Sequence, residues 1–368
     1  MDEMTRLFGF GATIAATGVL LVSCATEPQW ALTEGQHKQR FSGEVRTPID
    51  GQFLLYLPKG FSQHPAVKYP LLIFLHGSGE SGIDIDNVKK HGPPEFLDNR
   101  PDFPFIVASP QAPYPPRGFD PEELTVLLNQ LLQRLPIDKD RVYLTGFSMG
   151  GHGTYRWASA HPEIFAAIAP VSGAARLEDA CSLRSVPIWA FHGAKDESVK
   201  VENDEAGVNA IKECGGDIKF TVYPDVGHSS DAAYADPQLY QWFLEHRRND
   251  ARVKQILAVR AAREKRIREQ IPAANAESTL RRLVSGFSSG TPDYSQMTST
   301  LAAASRRMVE KIQAKLTAFG TLNALRYKGT EQDGSDVYDA EFAKGRAQFR
   351  LLFQEDGKIA GASFDPVP

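Results

Sequence analysis

The sequence predicts an α/β fold, a mostly parallel sheet with helices on both faces, followed by a small α+β domain. Three observations carry that expectation. Short apolar runs at Leu71-Leu72-Ile73-Phe74-Leu75, Arg141-Val142-Tyr143-Leu144-Thr145 and Pro187-Ile188-Trp189-Ala190-Phe191 read as buried strands. A glycine-flanked serine, Gly146-Phe147-Ser148-Met149-Gly150, stands where the second run meets a helix-like segment. Beyond Asn249 the pattern changes to helical segments and then to four β-rich runs separated by turn dipeptides.

From the N-terminus, Leu7 to Val22 is a short apolar run broken by Gly and Thr and followed by polar residues. It is too short for a comfortable membrane span and reads as the apolar region of a signal peptide. It ends in Leu21-Val22-Ser23-Cys24, which resembles a bacterial lipobox. The expectation is removal of residues 1–23, lipidation of Cys24, a tether over 24–40, and a lipid-anchored place in the bacterial cell envelope, at the outer membrane or facing the periplasm if the cell is Gram-negative. An ordinary secreted protein and an uncleaved anchor are the alternatives.

The first buried run ends in His76-Gly77-Ser78-Gly79, where backbone N–H groups of Gly77 or Ser78 would face a developing oxyanion. Next comes the serine, held in a strained turn that only glycine two residues either side lets form. The third run leads into His192-Gly193-Ala194-Lys195-Asp196, which makes Asp196 the acid candidate and Glu197 its reserve. A further β-rich run, Lys219-Phe220-Thr221-Val222-Tyr223, precedes Pro224-Asp225-Val226-Gly227-His228, which makes His228 the base candidate. A serine hydroxyl is a poor nucleophile at neutral pH, so His228 would take the Ser148 proton, Asp196 would hold the imidazole tautomer, and the Met149 N–H would help bind the oxyanion. The order Ser, Asp, His is that of α/β-hydrolases.

Residues 41–248 resemble the bacterial α/β-hydrolases described as predicted peptidases, phospholipase/carboxylesterase-like or dienelactone-hydrolase-like proteins. The resemblance rests on Leu75-His76-Gly77-Ser78-Gly79-Glu80, Lys90-His91-Gly92-Pro93-Pro94, Ser109-Pro110-Gln111, Arg141 to Gly151, Phe191 to Asp196 and Val226-Gly227-His228. It implies a serine hydrolase cleaving carboxylic esters, including acyl esters of carbohydrates, through an acyl-enzyme and without a cofactor. The alternatives are a serine peptidase of prolyl-oligopeptidase-like type and a non-catalytic envelope binding protein on the same fold. Such relatives often carry tryptophans after the histidine and after the Pro-Gln loop, whereas this chain has Ser229-Ser230-Asp231 and Ala112-Pro113-Tyr114-Pro115-Pro116-Arg117. His91, Gln111, Tyr114 and Tyr155 are candidates to border the substrate; a solvated loop residue or a structural tyrosine is the alternative for each.

The 368 residues carry a formal charge of −4 with no basic block, which argues against a nucleic-acid partner. No His-Glu-x-x-His or paired Cys-x-x-Cys suggests a metal, and no glycine-rich loop suggests a nucleotide. Apart from Cys24 the cysteines are Cys181 and Cys214, an even count suited to a disulfide in an oxidising compartment. Cys181 precedes a strand and Cys214 ends the helix after it, so both would lie on the face opposite Ser148; two buried thiols are the alternative.

Residues 249–275 read as a charged helical linker and 276–368 as a small domain. Thr279–Phe287 and Tyr294–Phe319 are helical in pattern. Leu322–Gly329, Ser335–Phe342, Arg346–Phe353 and Lys358–Phe364 read as strands, with Asp333-Gly334, Lys344-Gly345 and Asp356-Gly357 as turns. Helices followed by a meander suit a cystatin-like or nuclear-transport-factor-like domain, with no catalytic set of its own.

Overall fold

The computed structural model describes residues 30–45, 48–64, 66–113, 118–229, 231–354 and 357–367. The signal segment, Cys24 and Tyr114 lie outside them. Eight strands form the first sheet: β1 (Gly35–Glu44), β2 (Pro48–Leu57), β3 (Tyr69–Leu75), β4 (Ile106–Pro110), β5 (Ile137–Phe147), β6 (Ala167–Val171), β7 (Ile188–Gly193) and β8 (Ile218–Tyr223). Their order is β1-β2-β4-β3-β5-β6-β7-β8, antiparallel over the first three strands and parallel thereafter.

Period-two alternation divides β3 between two cores. Leu71, Ile73 and Leu75 face one layer with Leu131, Leu144 and Trp157; Leu72 and Phe74 face the other with Phe105, Tyr143 and Phe243. Such double burial explains why β3 reads as an unbroken apolar run. The helices of this domain are α1 (Pro93–Phe96), α2 (Pro121–Arg134), α3 (Met149–Ala160), α4 (Val201–Glu213), α5 (Asp231–Ala235) and α6 (Pro237–Glu245). In α2, Pro121 opens the helix, Asp120 accepts hydrogen bonds from the Glu122 and Glu123 N–H groups, and Leu124, Leu127, Leu128 and Leu131 form its buried stripe.

The tether expected over 24–40 is shorter, because β1 begins at Gly35 and is already part of the sheet. Trp30 is buried, stacks edge-on against Phe53 with ring centres 5.1 Å apart, and donates from Nε1 to the Arg40 carbonyl at 2.8 Å. An edge strand with one solvated face carries Lys38, Arg40 and Glu44, so its composition resembles a loop.

The segment read as a linker is α7 (Asp250–Glu269), capped by the Asn249 side chain. It buries no residue but is tied down at both ends. Near its start, Arg252 donates to the Phe165 carbonyl at 3.2 Å; further along, Arg260 makes a two-pronged contact with Glu163 at 2.9 and 3.0 Å. Toward its end Arg266 reaches buried Asp336 at 2.8 Å. Arg252 and Arg260 therefore fasten the helix to the first domain and Arg266 fastens it to the second.

The second domain comprises α8 (Ala276–Ser289), α9 (Ser299–Phe319) and an antiparallel sheet of β9 (Leu322–Thr330), β10 (Asp336–Phe342), β11 (Gly345–Phe353) and β12 (Ile359–Val367), in the order β12-β11-β10-β9. The single helix expected over Tyr294–Phe319 is interrupted. Tyr294–Gln296 is one 3₁₀ turn, and α9 starts afresh after Thr298, whose hydroxyl accepts from the Leu301 N–H at 3.3 Å.

Cys181 and Cys214 form a disulfide with Cα atoms 5.1 Å apart, closing a loop with a sequence separation of 33. Loop closure of this length stabilises by about 3–4 kcal/mol. A Cys181→Ser/Cys214→Ser chain is expected to melt about 10 °C lower in a thermal scan while its folded fraction keeps its turnover. An unchanged melting temperature would remove the bridge from the stability account.

Candidate active site

Ser148 sits between β5 and α3 with φ 55° and ψ −113°, a backbone region that non-glycine residues avoid. Its N–H donates to the Val171 carbonyl at 2.9 Å, which locks the turn onto β6. A side chain at Gly150 would overlap the Leu75 carbonyl, and one at Gly146 would overlap the Gly150 carbonyl. Strand and helix backbones thus approach too closely for any Cβ, and this contact holds the serine in its strained state.

The three candidates from separate strand ends converge. His228 Nε2 lies 2.8 Å from Ser148 Oγ, and Nδ1 lies 2.7 Å from Asp196 Oδ2. Asp196 Oδ1 accepts from the Ser198 and Val199 N–H groups at 2.9 and 2.8 Å. Burial by itself would raise the Asp196 carboxyl, but the hydrogen bond from His228 and those two N–H groups outweigh it and hold the carboxyl below the ordinary aspartate range. With an ionised partner on Nδ1, that nitrogen keeps its proton and Nε2 faces the serine as an acceptor. Glu197, the reserve acid, is exposed.

Met149 occupies the first helical position of α3, where the N–H has no intrahelical acceptor. In the facing turn the hydrogen bonds run from the Glu80 N–H to the Gly77 carbonyl and from the Ser81 N–H to the Ser78 carbonyl, so the turn does not consume the Ser78 N–H. His76 fixes this loop from below. Its Nδ1 donates to the Gly77 carbonyl at 2.6 Å, while Nε2 accepts from the Ala112 N–H at 2.9 Å. Burial brings its pKa down to about 4, so the ring stays neutral and keeps both contacts at neutral pH.

The substrate-bordering candidates fare differently. His91 is half-exposed, its ring centre 5.4 Å from that of Phe147, which in turn lies 4.9 Å from the His228 ring. Gln111 is committed elsewhere: its side-chain amide donates to the Glu80 and Asp84 carbonyls at 2.9 and 2.8 Å, making it a brace for the loop rather than a substrate contact. Tyr155 is also reassigned. It is buried, and its hydroxyl donates to Asp204 at 2.9 Å, so it contributes only the floor of a cavity of about 260 Å³ beside Met149. His152, Arg156 and Arg176 also line that cavity.

Sequence reasoning missed the support behind the acid. His192 Nδ1 lies 2.9 Å from Asp204 Oδ2, and its Nε2 lies 2.9 Å from the Val199 carbonyl and 3.4 Å from Asp196 Oδ2. Both ring nitrogens face oxygen atoms; burial opposes a charge on the ring, but the Asp204 hydrogen bond and the Val199 carbonyl outweigh it and raise the His192 pKa, while burial raises that of Asp204. These contacts pin the loop that carries Asp196. A signal was present: Asp204 falls in register with Gly207, Val208 and Ile211 on the buried face of α4, an unusual place for a carboxylate. Among the described residues no group of three or more His, Cys, Asp or Glu side chains is arranged to hold a metal ion.

Residues 121–236, which contain the strained serine, the acid and the histidine, match the model of the phospholipase/carboxylesterase family. The first domain has the α/β-hydrolase fold and is similar to that group over the matched residues. Similar proteins include a "Putative carboxymethylenebutenolidase" of Escherichia coli (strain K12), 30% identical over 106 residues, covering 26% of this chain and 39% of the relative. The "Bifunctional acetylxylan esterase/xylanase XynS20E" of Neocallimastix patriciarum is 36% identical over 86 residues, covering 23% of this chain and 13% of the relative. A "Probable carboxylesterase" of Oryza sativa subsp. japonica is 25% identical over 231 residues, covering 54% and 86%. This α/β-hydrolase thus spans about two fifths of the first of these relatives, and its second domain lies outside the family match.

Proposed function

We propose that the chain is a serine hydrolase that cleaves carboxylic esters through an acyl-enzyme on Ser148. The carrying observation is the continuous relay from Ser148 Oγ through His228 to Asp196, at 2.8 and 2.7 Å, on a serine held at positive φ. In the first half-reaction Ser148 Oγ bonds to the ester carbonyl carbon and its proton passes to His228 Nε2. The carbonyl π electrons move to oxygen, where the Met149 and Ser78 N–H groups meet them. Collapse of this intermediate breaks the ester C–O bond, and His228 gives its proton to the departing alkoxide. Water then repeats the sequence against the acyl-enzyme, releasing a carboxylic acid and restoring Ser148.

The proposed substrate class is acyl esters of carbohydrates. The similarity to a segment of an acetylxylan esterase/xylanase supports it. The mixed lining of the cavity beside Met149, where His152, Arg156, Arg176 and Asp179 stand beside Phe119 and Ala174, also offers hydrogen-bonding groups to a hydroxylated ligand. The proposed place of action is the cell envelope, with Cys24 lipidated; the Leu21-Val22-Ser23-Cys24 sequence supports this, as does a disulfide suited to an oxidising compartment.

Turnover of purified protein on aryl acetates, longer acyl esters, feruloyl sugars and peptide amides tests the reaction class. Faster hydrolysis of the amides than of every ester would replace the esterase reading with a peptidase. Intact-mass analysis of protein from membranes tests the anchor, and a mature chain starting anywhere but an acylated Cys24 would refute it.

A further inference from the structure

The second domain contains a cavity of about 310 Å³ between α8, α9 and the edge strand β12. Its floor is apolar, made by the buried side chains Val284, Phe287, Met297, Leu316 and Phe349. Two lysines one helical turn apart on α9, Lys311 and Lys315, also line it but are exposed, which places them on the solvent side. Among the described residues no Asp or Glu lines the cavity and neither lysine has a carboxylate partner. Lys315 Nζ instead lies 5.8 Å from the centre of the Phe364 ring. The nearby carboxylate on β12, Asp365, is engaged by Arg350 at 3.5 Å.

We propose that this cavity binds a free medium-chain carboxylate, with its alkyl chain on the apolar floor and its head group at Lys311 and Lys315. Concave apolar walls with a few convergent polar groups mark small-molecule sites, and this one is at the small end of their usual range of about 300–1,000 Å³. That size suits one alkyl chain of about ten carbons rather than a fused-ring or peptide ligand. Two unpaired ammonium groups at the rim select an anion, and charge-assisted hydrogen bonds are the stronger kind. Met297 and Met308, two of the five methionines in the chain, line the walls, and their flexible thioethers adapt to chains of differing length. The site is separate from Ser148: the domain meets the hydrolase at Glu213, where the Ser299 hydroxyl bonds the carboxylate at the far end of α4, and through α7.

Calorimetric titration of decanoate into the full chain carrying Ser148→Ala tests this without turnover. One decanoate per chain is expected. The added pair Lys311→Gln/Lys315→Gln should weaken decanoate at least about tenfold while leaving decanol within about twofold. Ala304→Trp, which fills the cavity, should abolish binding of both; if that variant does not fold, the lysine pair still decides, because those side chains are exposed. Equal decanoate affinity with and without the lysines overturns the proposal. So does an absence of binding, or binding to anionic phosphatidylglycerol vesicles but not to free decanoate.

Discussion

Ser148→Ala is expected to lower kcat by about 10⁴-fold or more and to abolish labelling by a fluorophosphonate probe, because the oxyanion N–H groups and substrate binding alone remain. The substitution removes one oxygen from a site whose backbone is held by other atoms: the Ser148 N–H to the Val171 carbonyl, and the close passage of Gly146 and Gly150. The variant should therefore fold normally, and melting temperature is the control. His228→Ala should produce a loss of the same order, and Ser148→Ala/His228→Ala should lose little more than either alone, since the two act as one unit. Ester turnover at the wild-type rate in a folded Ser148→Ala chain would remove the serine from the chemistry.

Asp196→Asn should cost about 10⁴-fold in kcat, whereas Glu197→Gln should be nearly silent. The amide would present a donor or a weaker acceptor to His228 Nδ1, so the ring would favour the tautomer with its proton on Nε2, where it cannot accept from Ser148. A second readout separates this from simple unfolding. The Asp196 carboxyl is held below its ordinary range, so its contribution to stability is fully present above the unfolded aspartate pKa, near 3.9, and is lost as pH falls through the lowered folded value. Denaturation of the asparagine variant should lack that part of the acid dependence. The reverse pattern, a crippling Glu197→Gln and a silent Asp196→Asn, would transfer the acid role to Glu197.

The site was legible because each of its members ends an apolar run. Leu75, Phe147, Gly193 and Tyr223 close strands, and Gly77, Ser148, Asp196 and His228 follow within a few residues of them. Backbone order thus carries most of the catalytic geometry in this fold. What it does not carry is side-chain direction. Tyr155 and Gln111 lie near the site in chain order, yet one points into α4 and the other laces a loop. The His192–Asp204 pair was hidden for the same reason: two residues 12 apart meet only when α4 folds back against β7. Edge strand β1 escaped because its solvated face contributes charges that dilute the alternation.

The polarity of the catalytic domain has a consequence for what it can act on. Trp30 lies under Arg134 at the end of α2, and Arg252 and Arg260 hold α7 to Phe165 and Glu163 just past the end of α3. Chain entry and chain exit thus share the pole where parallel strands begin, while Ser148 stands at the pole where they end. These described attachments leave Ser148 at the opposite pole from both. Contacts made at either attachment therefore do not compete with substrate for the pole that carries Ser148.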